Sequence, residues 1–95
     1  MMPNNFTLGG LNFHTEIVDN IDNTGLGRTI NCTGLMKIAQ KFYGQAIPQD
    51  SQERTFYHEL THAILDELGY RELSNDEKFV DSFSSLLYQF EVTKK

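Results

Sequence analysis

Two histidines and a glutamate, within His58-Glu59-Leu60-Thr61-His62, carry the chemistry most directly legible in this chain. Residues four apart stack on one face of an α-helix, so both imidazoles can reach a single metal ion. Zinc suits such a pair because it takes neutral imidazole nitrogen readily. Glu59 projects to one side, next to where a water activated by the metal would sit, and there it can act as a base. Two imidazoles leave a site incomplete, and a carboxylate oxygen is an acceptable third ligand. Fourteen residues beyond His62 the chain offers Asp76-Glu77-Lys78-Phe79-Val80-Asp81. Glu77 and Asp81 share a face of a second helix, one turn apart. If that helix packs across the first, Glu77 can complete the coordination. Asp81 can then accept a hydrogen bond from the far nitrogen of a ligating histidine, fixing ring orientation and tautomer.

Other donors compete. Ser74-x-x-Glu77 also reads as a capping box, with the glutamate folded back onto the amide of residue 74 and Asp81 as ligand in its stead. Glu72, between the helices, remains open as a donor. Asp66 does not: eight residues from His58, it sits about 12 Å further along the axis at 1.5 Å per residue. Cys32 could offer a thiolate, although a lone cysteine is more often a small buried hydrophobe. His14 reads as structural or exposed. Arg28, Tyr57, Tyr70 and Tyr88 are candidates for steadying a substrate oxyanion, and the sequence does not rank them.

The stretch from His58 to Asp81 resembles the gluzincin metallopeptidases, of which thermolysin is the best known. His-Glu-Leu-Thr-His-Ala is a close likeness of their active-site helix. The resemblance implies a zinc ion, Glu59 as general base, Glu77 as third ligand and Asp81 as brace for a zinc histidine. Asp76 stands where many members carry an asparagine that supports the other histidine. It further implies a substrate peptide held by backbone pairing along a strand edge, for which Leu35 to Ala39 is the candidate. The short β-region followed by two helices is similar to minimal gluzincins and to small phage-type metallopeptidases.

These residues need elements to hold them. Leu11, Phe13, Thr15 and Ile17 alternate with polar neighbours, the period of a half-buried strand. Asp19 to Gly25 is dense in turn formers. Arg28 to Cys32 and Leu35 to Ala39 read as short strands interrupted at Thr33-Gly34. The expectation is an α+β fold: a small antiparallel sheet of three to four strands, then two packed helices in a minimal zincin-like arrangement. One domain spans 1–95, with 1–47 mainly β and turns, the active-site helix at 50–69 and a second helix at 74–91. Asp50 and Glu53 suggest a capping box, and Gly69 a helix stop. Phe56, Leu60, Ala63, Ile64 and Leu68 mark the buried stripe of the first helix. Phe79, Phe83, Leu86, Leu87 and Phe90 mark that of the second, beside a polar stripe of Glu77, Asp81, Ser84 and Tyr88.

Bulk properties narrow the function classes. The chain has 95 residues, 39% hydrophobic and 12% aromatic, which suits one folded domain with a modest core. A net charge of −5 without any basic cluster argues against nucleic-acid binding. Nothing approaches the apolar length of a membrane span. The single cysteine favours a reducing compartment, and Met1 to Phe6 lacks the regions of a secretion signal, so cytoplasmic residence is expected. The leading expectation is a zinc metalloendopeptidase, active or latent, acting on peptide or protein substrates. The alternatives are a non-catalytic zinc-containing binding or regulatory module, phage- or mobile-element-encoded, and a helical interaction domain in which the motif is accidental.

Overall fold

The computed structural model describes residues 2–21 and 25–95. Asp22, Asn23 and Thr24, the centre of the turn expected between Asp19 and Gly25, lie outside the described residues, as does Met1. Four strands form the main sheet: β1 (Asn5–Leu8), β2 (Leu11–Val18), β3 (Gly27–Ile30) and β4 (Leu35–Ala39). Their spatial order is β1-β2-β4-β3. A separate two-stranded hairpin, β5 (Lys41–Phe42) and β6 (Gln45–Ala46), leads into the helical half. That half holds α1 (Gln49–Leu68), a single short turn α2 (Arg71–Ser74) and α3 (Glu77–Thr93).

The α+β architecture is as expected, but the sheet is mixed and not antiparallel. β2 pairs with β4 in parallel, with Thr15 opposite Met36 and Ile17 opposite Ile38. β1 and β3 pair antiparallel with their neighbours. β3 lies two strand spacings from β2, about 10 Å. A 3₁₀ turn at Asn31–Thr33 then reverses the chain, so that β4 fills the gap between β2 and β3. Local hydrophobic alternation fixes which face of a strand is buried and is silent on which neighbour it takes.

The buried face gathers Phe13 and Thr15 of β2 with Met36 and Ile38 of β4, and α1 lies across it through Phe56. Phe6 stacks on Phe13 at 5.3 Å and meets Phe56 edge-on at 5.8 Å. Burial of each such side chain is worth about 1.5–3 kcal/mol. Leu11 and Ile17, at the ends of β2, reach past this core and are exposed.

α1 begins two residues earlier than a cap at Asp50 would require. Pro48 precedes it with no side-chain cap, and the Asp50 carboxylate accepts from the Ser51 amide, so the Asp50–Glu53 capping box does not form. Its end is as expected. Gly69 takes the left-handed conformation (φ 83°), and the amides of Gly69 and Tyr70 donate to the carbonyls of Asp66 and Leu65, which satisfies carbonyls the helix leaves open.

α3 corrects the expectation of its core face. Val80, Ser84 and Tyr88 are the buried residues. Phe83, Leu86 and Phe90, expected inside, are 48%, 67% and 59% exposed. On α1, Leu68 is likewise exposed, and Leu65 is buried. α3 is rotated so that its polar stripe, not its richest apolar stripe, meets α1.

Candidate metal centre

α1 presents His58 and His62 to the start of α3, where Glu77 is the first helical residue. The donor atoms of His58, His62 and Glu77 all lie within 4.8 Å of one another, a cluster able to hold a metal ion. His58 Nε2 is 3.4 Å from Glu77 Oε2, and His62 Nε2 is 3.3 Å from Glu77 Oε1. Two ligands about 2.0–2.1 Å from a tetrahedral zinc are separated by roughly 3.3 Å. A charge-assisted hydrogen bond between imidazolium and carboxylate would draw the same atoms to about 2.7–2.9 Å. The observed spacing is compatible with a shared ion. Both imidazoles are partly buried, whereas the Glu77 side chain is 62% exposed, which leaves the centre open to solvent on one side.

The outer nitrogens are also engaged. His58 Nδ1 lies 3.0 Å from Asp81 Oδ1, one turn beyond Glu77 on the same face of α3. His62 Nδ1 lies 3.1 Å from the hydroxyl of Ser74, a buried residue at the end of α2. Asp76 is the N-cap of α3, its carboxylate accepting from the amide of Phe79 at 3.2 Å. This cap removes the Ser74-x-x-Glu77 capping box as a competing role for Glu77. Cys32 is exposed, not buried, in the 3₁₀ turn, and among the described residues no metal-holding cluster includes it.

Glu59 is buried on the flank of α1 that faces β3. Thr29 Oγ1 donates to Glu59 Oε1 at 2.6 Å, a short contact of the kind a carboxylate makes with a hydroxyl. Sequence reasoning missed Thr29; the only sign was its place two residues from Gly27, on the alternate positions of a strand that face one way. Gly27 is needed for the approach itself. A Cβ there would lie 2.7 Å from Glu59 Cγ and 2.7 Å from Thr55 Cγ2. Asn31, just after β3, donates to the Ala63 carbonyl at 3.0 Å and to Glu67 at 3.2 Å, pinning that end of the strand to α1.

β3 is an edge strand and β4 is not, so the expectation that Leu35 to Ala39 offers a free edge is corrected. The Ala39 amide donates to the Leu26 carbonyl. Alternation in an antiparallel ladder then directs the backbone groups of Arg28 and Ile30 towards β4 and those of Gly27 and Thr29 outward. Two hollows flank the histidines and share Gly27 and Glu59 in their walls. One, of about 620 Å³, includes His62, Asp66, Arg71 and Asn75; the other, of about 410 Å³, includes His58, Arg54, Asp81 and Ser85.

Of the oxyanion candidates, Arg28 borders the larger hollow, and Tyr57, Tyr70 and Tyr88 border neither. Tyr57 packs against Phe56 and Tyr88. Burial, then the carboxylates of Glu91 and Glu53 and the Tyr88 phenol, push its own phenol above the usual range, so it holds its proton. His14, expected to be structural or exposed, is exposed and bonds Asn5 from the sheet. No described helix is long and apolar enough to cross a membrane.

No family model, curated protein or solved structure matches this chain. The chemistry of the centre therefore rests on its own geometry.

Proposed function

We propose that this chain is a zinc-dependent metalloendopeptidase of the gluzincin type, with a minimal zincin-like fold and residence in the cytoplasm. The observation that carries the reading is the 3.3–3.4 Å separation of two imidazole nitrogens from the two oxygens of Glu77. His58, His62 and Glu77 are the ligands in this reading, and Asp81 holds His58 by its outer nitrogen. Two nitrogens and one carboxylate leave a fourth position free, the arrangement of catalytic rather than structural zinc sites. A zinc ion bound there would supply a Lewis acid for the scissile carbonyl and lower the pKa of a water.

The protein's own groups do the rest. Thr29 holds one oxygen of Glu59 at 2.6 Å, and in this reading the other is the base. From that position Glu59 takes a proton from the attacking water and delivers it to the leaving amine. The outward amides and carbonyls of Gly27 and Thr29 pair with an extended peptide, adding a strand to the sheet and laying the scissile bond beside Glu59. The hollows lie on both sides of the histidines, so the peptide can continue in both directions. That favours cleavage within a chain over removal of a terminal residue.

A second reading is a zinc-containing binding or regulatory module without turnover. It is favoured by the position of the tyrosines: Tyr57, Tyr70 and Tyr88 border neither hollow, which leaves Arg28 alone of the oxyanion candidates beside them. Purified protein carrying about one zinc per chain supports both readings; zinc-free protein that cannot be loaded removes both. A Glu59→Gln variant that keeps zinc and loses cleavage of a peptide library supports the peptidase. Zinc-loaded parent protein that cleaves nothing in that library leaves the module.

A further inference from the structure

The two histidines are held in unlike ways. His58 faces the carboxylate of Asp81, which is 65% exposed. His62 faces a hydroxyl, Ser74 Oγ at 3.1 Å, on a residue that is 4% exposed. We infer that Ser74 is the positioning residue for His62, accepting the Nδ1 proton so that the Nε2 lone pair is presented to the cation. This rests on the metal-site reading above and extends it to a residue that the sequence offered only as one end of a capping box.

The argument is one of tautomer and rotation. A neutral imidazole carries its proton on either nitrogen, and only the form protonated at Nδ1 leaves Nε2 free to bind. Nε2 is the His62 atom that faces Glu77. A hydroxyl can accept from Nδ1–H as well as donate, so Ser74 accommodates the form that a cation at Nε2 requires, and at 3.1 Å it restrains rotation about the ring's attachment. A neutral acceptor also suits the location. A carboxylate buried as Ser74 is would lose its hydration, at a cost of several kcal/mol, and would add a third negative group next to Glu77 and Asp81.

The backbone gives Ser74 a fixed place. Its amide donates to the Tyr70 carbonyl at 2.9 Å, and the amides of Asn75 and Asp76 donate to Arg71 and Leu73. The short turn α2 thus does more than connect α1 to α3. It sets a hydroxyl against His62 and delivers Asp76 to cap the helix that bears Glu77.

The test is zinc affinity, measured on metal-free protein by competition with a chromophoric chelator, together with melting of the metal-free form. Ser74→Ala removes the acceptor and cannot overfill the site. The expected result is zinc binding weakened about 10–100-fold, the range for loss of such an outer partner. In a His62→Ala background the same change is expected to weaken residual binding no further, because the ring it positions is gone. Unchanged affinity in Ser74→Ala overturns the inference while the metal site stands. So does an equal loss with and without His62, which marks a general structural effect that the metal-free melt would also register. A parent protein that takes up no zinc overturns the metal-site reading, and this inference with it.

Discussion

Replacing Gly27 by alanine tests how closely β3 is pressed against the glutamate of α1. The added Cβ would stand 2.7 Å from Glu59 Cγ and from Thr55 Cγ2, where carbon atoms at rest are about 3.5–4.0 Å apart. Roughly 1 Å of movement must be found, in the strand, the helix or the Glu59 side chain. Overpacking of this kind costs about 1–3 kcal/mol. For a chain of this size that is a fall in Tm of about 5–20 °C. The consequence for chemistry is larger than for stability. A shift of about 1 Å breaks the 2.6 Å contact between Thr29 and Glu59, and misplacement by that amount lowers turnover about 100-fold. The assays are thermal melting, zinc stoichiometry and cleavage of a peptide library. Zinc content should hold at the parent value, since the new atom meets Glu59 and Thr55 first. Adding Thr55→Ser removes one of the two obstructing carbons, so part of the lost stability should return while turnover stays low. A Gly27→Ala protein that melts with the parent and cleaves within about twofold of it would show that β3 does not set the position of Glu59.

Three further outcomes follow from the same geometry. Thr29→Val, which keeps shape and removes the hydroxyl, should lower kcat about 10–100-fold, the worth of a hydrogen bond to a charged group; KM and zinc content should hold, and Thr29→Ser should restore most of the loss. Val80→Ala, at a position with no exposure, should cost about 2 kcal/mol in denaturant unfolding, whereas Leu86→Ser should change stability by about 0.5 kcal/mol or less; the reverse order would mean that α3 packs through its aromatic stripe. Stripping the metal with a chelator should lower Tm by about 10–20 °C relative to protein in zinc at 100 times its dissociation constant, because such binding stabilises by about 2.7 kcal/mol; an unchanged melt would remove the metal from the fold.

The site was more legible than the sheet. An i, i+4 pair of histidines determines its own geometry once the segment is helical, and the apolar stripe around Phe56 and Ala63 with Gly69 at its end made the helix plain. Glu77 was legible as one of several donors; the cap by Asp76 at the Phe79 amide is what frees it from the rival capping role. Thr29 and Ser74 were not legible, because each meets α1 through a contact set by tertiary packing, thirty and twelve residues away in sequence. The parallel pairing of β2 with β4 was hidden for a related reason. Nothing in the alternation of Leu35 to Ala39 distinguishes a strand with two neighbours from one with a free edge, yet that distinction moves the proposed peptide-binding edge to Gly27 and Thr29.

The misread face of α3 is the most instructive error. Its largest apolar residues, Phe83, Leu86 and Phe90, make the stronger stripe by area, and burial by area alone would turn them inward. Instead Glu77, Asp81 and Ser84 face α1, with Val80 and Tyr88 supplying the apolar contact. Facing carboxylates towards partly buried imidazoles sacrifices the hydrophobic stabilisation that the apolar stripe would supply. A local rule broken in this way marks a functional site more often than a structural one. The break is confined to the one face where a cation would offset it: both imidazoles and the acidic pair converge there, and the rest of α3 is left to solvent. An accidental His-x-x-x-His pair on a surface helix would carry no such cost on its neighbour, so the rotation of α3 is what the metal-site reading expects.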